Sequence, residues 1–410
     1  MVSHKSSIYK LKGVIKKYDW GGTEFLSRLL SFSNPGKETL AEYWLGAHDL
    51  SSSVLITGKG EIKLNDFISG EAETILGKTV TRKFGRLPYL LKVLDVNDML
   101  SIQVHPAKHE AEIEFARENA EGIPLSAARR NYKDDNHKQE LMVALSDFWL
   151  LHGFKPVEKL NSILQTIPEF KPLLDIFNAT GYDQLYKTVM EMPQQSVNDL
   201  LKPLLDRIIP LYQKNLLTKD QEDFWAAKAA LTFNRQPVKI DRGIFSIYFF
   251  NLLQLKKGEG IFQDAGVPHA YLKGQNIEIM ANSDNVLRGG LTNKYIDVKE
   301  LMKHVRFEEI FPAIIRPKKI NANEEIYRTA SPDFRLSRFK LKEGDVSSFE
   351  TVSGEIVLVM EGTISLTSEN EELNLSKGEA AFITSHQPVS VKALASADFY
   401  KASVPVHTDE

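Results

Sequence analysis

The sequence predicts a mainly β fold with a helical insertion, and three observations carry that reading. Short apolar and aromatic runs, punctuated by turn residues, fill the first 153 residues and return after about residue 239. Between them the texture changes, with apolar residues falling at helical spacing from Lys155 to about Pro237. A glycine-led motif then recurs: "GEGIFQDAGVPHAYL" begins at Gly258 and "GEAAFITSHQPVSV" at Gly378. Strands at short spacing imply a barrel or sandwich. The repeat implies two related modules.

In chain order, "SSSVLI", "LPYLLKVLDV", "SIQVH" and "ELMVALSDFWLLHGF" read as strands, and "PAKHEAEIEFARENAEG" is the one helical run among them. "PVEKLNSILQTIPEFKPLLDIF", "YDQLYKTVMEM", "SVNDLLKPLLDRIIPLYQKN" and "DQEDFWAAKAALTFN" form the helical stretch. The division expected is 1–153 and 239–320 for a first, split β-domain, 154–238 for the helical domain, and 321–410 for a second β-domain. Aligned at Gly258 and Gly378, His269 of the first module falls on Val389 of the second. Only the first module therefore offers a ligand there, which predicts one metal per chain.

The composition narrows the function. With 410 residues, 42% hydrophobic and 26% charged, the chain has ample core for a globular protein. A net charge of -3 gives no support for a nucleic-acid partner. No run is long and apolar enough for a membrane span, and the basic N-terminal stretch lacks a signal peptide's apolar segment. Zero cysteines exclude disulfides and thiolate metal sites and fit a reducing, cytoplasmic location. Any metal must be held by nitrogen and oxygen.

Most of the ten histidines have structural explanations. His4 and His407 lie near the termini, His109 sits in a surface helix, and His48, His152, His304 and His386 lack a second ligand at useful spacing. Four other positions share a context. Gln103 and His105 are two apart on a strand and so share a face. Glu140 opens a strand whose same-face neighbours, Met142 and Ala144, point inward, and a buried carboxylate there needs a cation. His269 follows the Gly266-Val267-Pro268 turn and shares its face with Tyr271. An amide, two imidazoles and a carboxylate suit Zn²⁺ with an exchangeable position. From spacing alone, a merely polar barrel interior competes with this reading, as does an iron oxygenase on His105, His269 and Glu140.

A second anomaly is the polar loop in "NIEIMANSDNVLRGGLTNKYID", which contains Asn282, Ser283, Asp284, Asn285, Arg288, Gly289 and Gly290. Arg288 is a fixed cation suited to phosphate or a developing oxyanion. Lys92, His137, Lys138 and Lys294 are further cations near the same segments.

Together "YDWGG", "AEYWLGAH", "LPYLLKVLD", "LSIQVHP", "DDNHKQE" and "VPHAYLKGQNIEIMANSDNVLRGGLTNKY" resemble type I phosphomannose isomerase, a zinc enzyme of the cupin superfamily. The matches run in family order to about residue 300. The resemblance implies a cupin-type β-barrel or jelly-roll catalytic domain, a helical domain and a metal-free second cupin-like domain. It implies reversible conversion of mannose 6-phosphate to fructose 6-phosphate through an enediol, with a sugar phosphate as partner; monomer or homo-oligomer is left open. Zinc ligands then fall on Gln103, His105, Glu140 and His269, and the catalytic arginine on Arg288. Ser101 and Lys138 match positions associated with phosphate or substrate contact, while Tyr271, Glu278, Asp284 and Lys294 match pocket residues. Lys92 joins them as a substrate contact. His137, Lys138, Glu278 or a zinc-bound water are the candidates for the base. A non-catalytic sugar-phosphate-binding cupin and a cupin oxygenase are the alternatives. Two positions depart from the pattern: Gln139 and Asp264 stand where proline is usual.

Overall fold

The structure is a computed structural model that describes residues 6–233, 239–369 and 371–405. His4 and His407 lie outside those residues, and the expected boundary at 238 falls at the edge of a segment that is not described.

The first β-body is antiparallel and built around the long strand His269–Ala281. One end of that strand pairs with Gln103–Val104 and Phe148–Phe154, the other with Tyr89–Val96 and Glu140–Ala144. A register shift between Tyr271 and Lys273 precedes Gly274, whose φ of 133° favours glycine. The irregularity lets odd-numbered residues (His269, Tyr271) and then even-numbered ones (Asn276, Glu278) meet the same interior. It also bends the strand: Glu140 is the ladder partner of Met280, yet its carboxylate lies 3.4 Å from His269.

Four long helices form the insertion: Val157–Thr166, Lys171–Glu191, Gln194–Gln213 and Glu222–Phe233. In the first, Leu160 and Leu164 sit one turn apart and bury the same face. Leu185, Trp225 and Phe245 pack with Leu151, Ala270 and Leu272, which occupy the outer side of the strands whose inner side carries His152, His269 and Tyr271. Burial of apolar area on that outer face anchors the site strands from behind.

The second β-body repeats the first at its turns. Gly258 and Gly378 have φ of 90° and 81°. Glu259 Oε2 accepts from Lys256 N at 3.0 Å, and Glu379 Oε2 accepts from Ser376 N at 2.9 Å. Each turn leads into a four-residue strand, Gly260–Gln263 or Ala380–Ile383. Val389, at the position matching His269, is 2% exposed in an apolar cluster with Phe339, Val391 and Phe399.

Two features differ from the sequence reading. Residues 64–84 hold three short helices, Leu64–Gly70, Ala72–Leu76 and Lys78–Phe84, where turns and strands were expected. None runs long enough to display a helical period. Sheet pairing also crosses the expected domain division. Ile8–Lys12 pairs with Ala380–Ile383 and with Val54–Thr57, so strands from the first hundred residues complete the second body's sheet. No helix among the described residues is long and apolar enough to cross a membrane.

Candidate metal centre and active site

His105, Glu140 and His269 converge, with one ligand atom from each lying within 4.8 Å of the others. All three are buried. His105 Nδ1 donates to the Asn285 carbonyl and His269 Nδ1 to the Val267 carbonyl, both at 2.9 Å. A carbonyl only accepts, so each neutral ring carries its proton on Nδ1 and presents a lone pair at Nε2. Those two Nε2 atoms each lie 3.4 Å from a Glu140 oxygen. His105 Nε2 is fully buried without a hydrogen-bond partner.

Two lone pairs and a carboxylate facing one another repel unless a cation lies between them. The donor set therefore fits a metal such as zinc, and the unpartnered His105 nitrogen is the observation that tests it. Burial, with Lys138 adding to it, pushes the His105 ring down to about 4, so it stays neutral and available. Burial opposes ionisation of Glu140, but Lys138 and His105 outweigh it and hold the carboxyl well below its usual range.

Gln103 joins by register. It is the ladder partner of His269 on one side and of Arg288 on the other, and direct partners face the same way. His105, just beyond that strand, accepts on its carbonyl from Gly266 N at 2.9 Å, which ties it to the turn before His269. Arg288 is half-buried, and its guanidinium makes no hydrogen bond or ion pair among the described residues. A half-buried cation without a partner is free to pair with an anion.

The cavity beside the metal ligands is lined by Lys92, Gln103, Lys138, Tyr271 and Glu278, joined by Glu42. Lys138 Nζ contacts Glu140 Oε1. Lys92 Nζ lies 3.3 Å from Glu278 Oε1, and Tyr271 OH donates to Glu278 Oε2 at 2.8 Å. Burial, reinforced by Glu140, raises the Glu278 carboxyl although Lys92 opposes it. For Lys92 burial works against the charge, but Glu42 and Glu278 prevail and raise it above its ordinary value.

The other expected residues do not line that cavity. His137 turns away and pairs through Nε2 with Asp333 at 2.8 Å. Asp284 is held by His48 Nε2 at 3.0 Å. Lys294 lines a separate cavity of about 540 Å³ with Lys239, Thr292 and Tyr295. Ser101 is half-buried just before the Gln103 strand. Gln139 Nε2 donates to Asp264 Oδ1 at 2.9 Å, so the two departures from the family pattern contact each other.

Sequence reasoning missed Glu42 and Trp44. Trp44 Nε1 donates to Glu42 Oε2, and Lys92 Nζ lies 4.8 Å over the Trp44 ring. Their signal was present in "AEYWLGAH", where two residues share a strand face as Gln103 and His105 do.

The sequence model described as "Phosphomannose isomerase type I, catalytic domain" matches residues 8–157. The curated mannose-6-phosphate isomerase of Escherichia coli K12 is 37% identical over 395 residues, covering 93% of this chain and 96% of that protein. The chain belongs to the type I phosphomannose isomerase family. The human mannose-6-phosphate isomerase is 32% identical over 415 residues, covering 94% of this chain and 95% of its own. A solved mannose 6-phosphate isomerase from Salmonella typhimurium, described as bound to fructose 6-phosphate and zinc, superposes with a TM-score of 0.87. It is 34% identical and covers 98% of this chain and 100% of that one. The chain thus shares the cupin-type fold of the phosphomannose isomerases over nearly its whole length.

Proposed function

We propose that the chain is a zinc-dependent aldose–ketose isomerase that interconverts mannose 6-phosphate and fructose 6-phosphate through an enediol. The observation that carries the reading is the convergence of His105, Glu140 and His269 with both imidazole lone pairs aimed inward. Gln103, His105, Glu140 and His269 would hold one zinc ion per chain. Zinc, when bound, supplies Lewis acidity toward the sugar oxygens at the reacting carbons.

The chain's own groups supply the rest. Arg288, on the same ladder row as Gln103 and His269, would hold the sugar and offset negative charge as the C2 proton leaves. That unpaired cation favours isomerisation over the oxygenase and binding-only readings. Lys294 and its cavity are where the phosphate would lie, and remote binding of this kind orients the reacting carbons. Ser101, Lys92, Tyr271 and Asp284 complete the substrate contacts. With His137 committed to Asp333, Lys138 and Glu278 remain as carriers of the proton between C2 and C1. Glu278 suits that task because its carboxyl is raised toward the pH at which it must both take and return a proton. We place the protein in the cytoplasm, on the strength of its lack of cysteine.

A coupled assay for fructose 6-phosphate, run before and after chelation and again after Zn²⁺ is restored, tests the proposal. Loss and recovery of isomerisation are expected. Activity indifferent to the chelator, or none at all with mannose 6-phosphate, would sink it.

A further inference from the structure

Two cross-sheet contacts stand side by side in the first body. His269 and His152 are ladder partners, and so are Glu140 and Gln263. Each pair points its side chains to the interior. Glu140 Oε2 meets His269 Nε2 at 3.4 Å, and one strand over, His152 Nδ1 donates to Gln263 Oε1 at 2.8 Å. The second contact therefore copies the first in register, without contributing to the metal group. We propose that His152 and Gln263 are a positioning pair that sets the sheet separation at the metal centre and thereby the metal affinity.

His152 is 5% exposed and Gln263 is not exposed at all. A buried hydrogen-bonded pair accepts a narrow range of separations, unlike apolar side chains, which slide. Gln263 Nε2 is moreover buried with no hydrogen-bond partner among the described residues. An apolar side chain would fill the position without that cost, so the amide is explained by its contact with His152. Because Gln263 and Glu140 sit on adjacent strands, a shift at one is transmitted to the other through the ladder. Metal ligands held at the wrong separation bind less tightly even when all are present.

The inference rests on the metal reading above, so the experiment separates the two. Zinc affinity of the metal-free protein is measured by competition with a chromophoric chelator, and the cobalt-loaded protein gives an absorption spectrum of the ligand field. Gln263→Met keeps the side chain's length and removes its hydrogen bond. We expect zinc binding about 10-fold weaker and a shifted cobalt spectrum, with thermal unfolding confirming a folded protein. His152→Asn, which keeps a donor near the Nδ1 position, should bind close to wild type, whereas His152→Leu should match Gln263→Met. Should Gln263→Met fail to fold, His152→Leu carries the test. Wild-type affinity and an unchanged spectrum in Gln263→Met or His152→Leu overturn the proposal, as do equal losses in the Asn and Leu variants. A wild-type chain that binds no zinc refutes the metal reading instead.

Discussion

The two β-bodies share a turn and differ in what they enclose. Both are entered through a glycine of positive φ followed by a glutamate that closes the turn on its own backbone. Past that turn the first body places His269 against Glu140, while the second places Val389 among aromatic rings. Both bodies hold paired cations, but the first also keeps one unpaired. In the second body Lys401 Nζ pairs with Glu355 at 2.8 Å and Arg338 grips Asp398 through two nitrogens. In the first, Arg288 pairs with nothing among the described residues. A scaffold supported by backbone and turn chemistry tolerates either interior, so metal binding belongs to a few side chains rather than to the barrel.

The most damaging way to erase the difference is His269→Val, which gives the first body the second body's residue. Zinc content should fall to background and isomerase activity with it, read by metal analysis and the coupled assay; retained zinc would show that the comparison misplaces the ligand. Arg288→Ala should lower kcat by about 10²–10³-fold with little change in thermal stability, since no hydrogen bond or ion pair is lost. Lys401→Met should do the reverse. It strands the Glu355 carboxylate, which is fully buried, so urea unfolding should report a loss of about 3–5 kcal/mol while the folded fraction keeps its kcat.

Acid separates the bodies more gently. Burial holds His105 and His152 near 4, whereas unfolded histidine titrates near about 6.5. The unfolded chain thus binds more protons between those values. The contribution of these two rings to the stability of the metal-free protein is full above the upper one and falls as pH drops toward the lower. The loss is on the order of 3 kcal/mol per buried ring across that window. The described histidine of the second body, His386, is exposed. Urea unfolding of metal-free protein at pH 7 and pH 5 measures the effect, and equal stability at both would contradict it.

The candidate metal ligands were legible because strand parity is written in the sequence: Gln103 with His105, and Glu140 with its inward neighbours. The strings around them then carried the family resemblance. His152 was legible only as an isolated histidine, because its partner Gln263 lies on a different strand and no local spacing links them. His137 looked like a candidate base by its neighbours, and only the fold shows that Asp333, nearly two hundred residues on, has taken it. Gln139 and Asp264 each looked like a missing proline, whereas their hydrogen bond is a relation between two loops. The helices of residues 64–84 are too short to show a period, and the pairing of Ile8–Lys12 with Ala380–Ile383 is a long-range register that no window of sequence contains.

That last pairing has a consequence for how the molecule comes into being. During synthesis the strand Ile8–Lys12 emerges long before its ladder partner Ala380–Ile383. Until then one edge of the early strand offers unpaired backbone groups, a template for wrong partners. A ribosome that stops short of residue 380 therefore releases a chain that holds every candidate metal ligand yet cannot close its sheet. The strand Ala380–Ile383 is the seal on one made long before it.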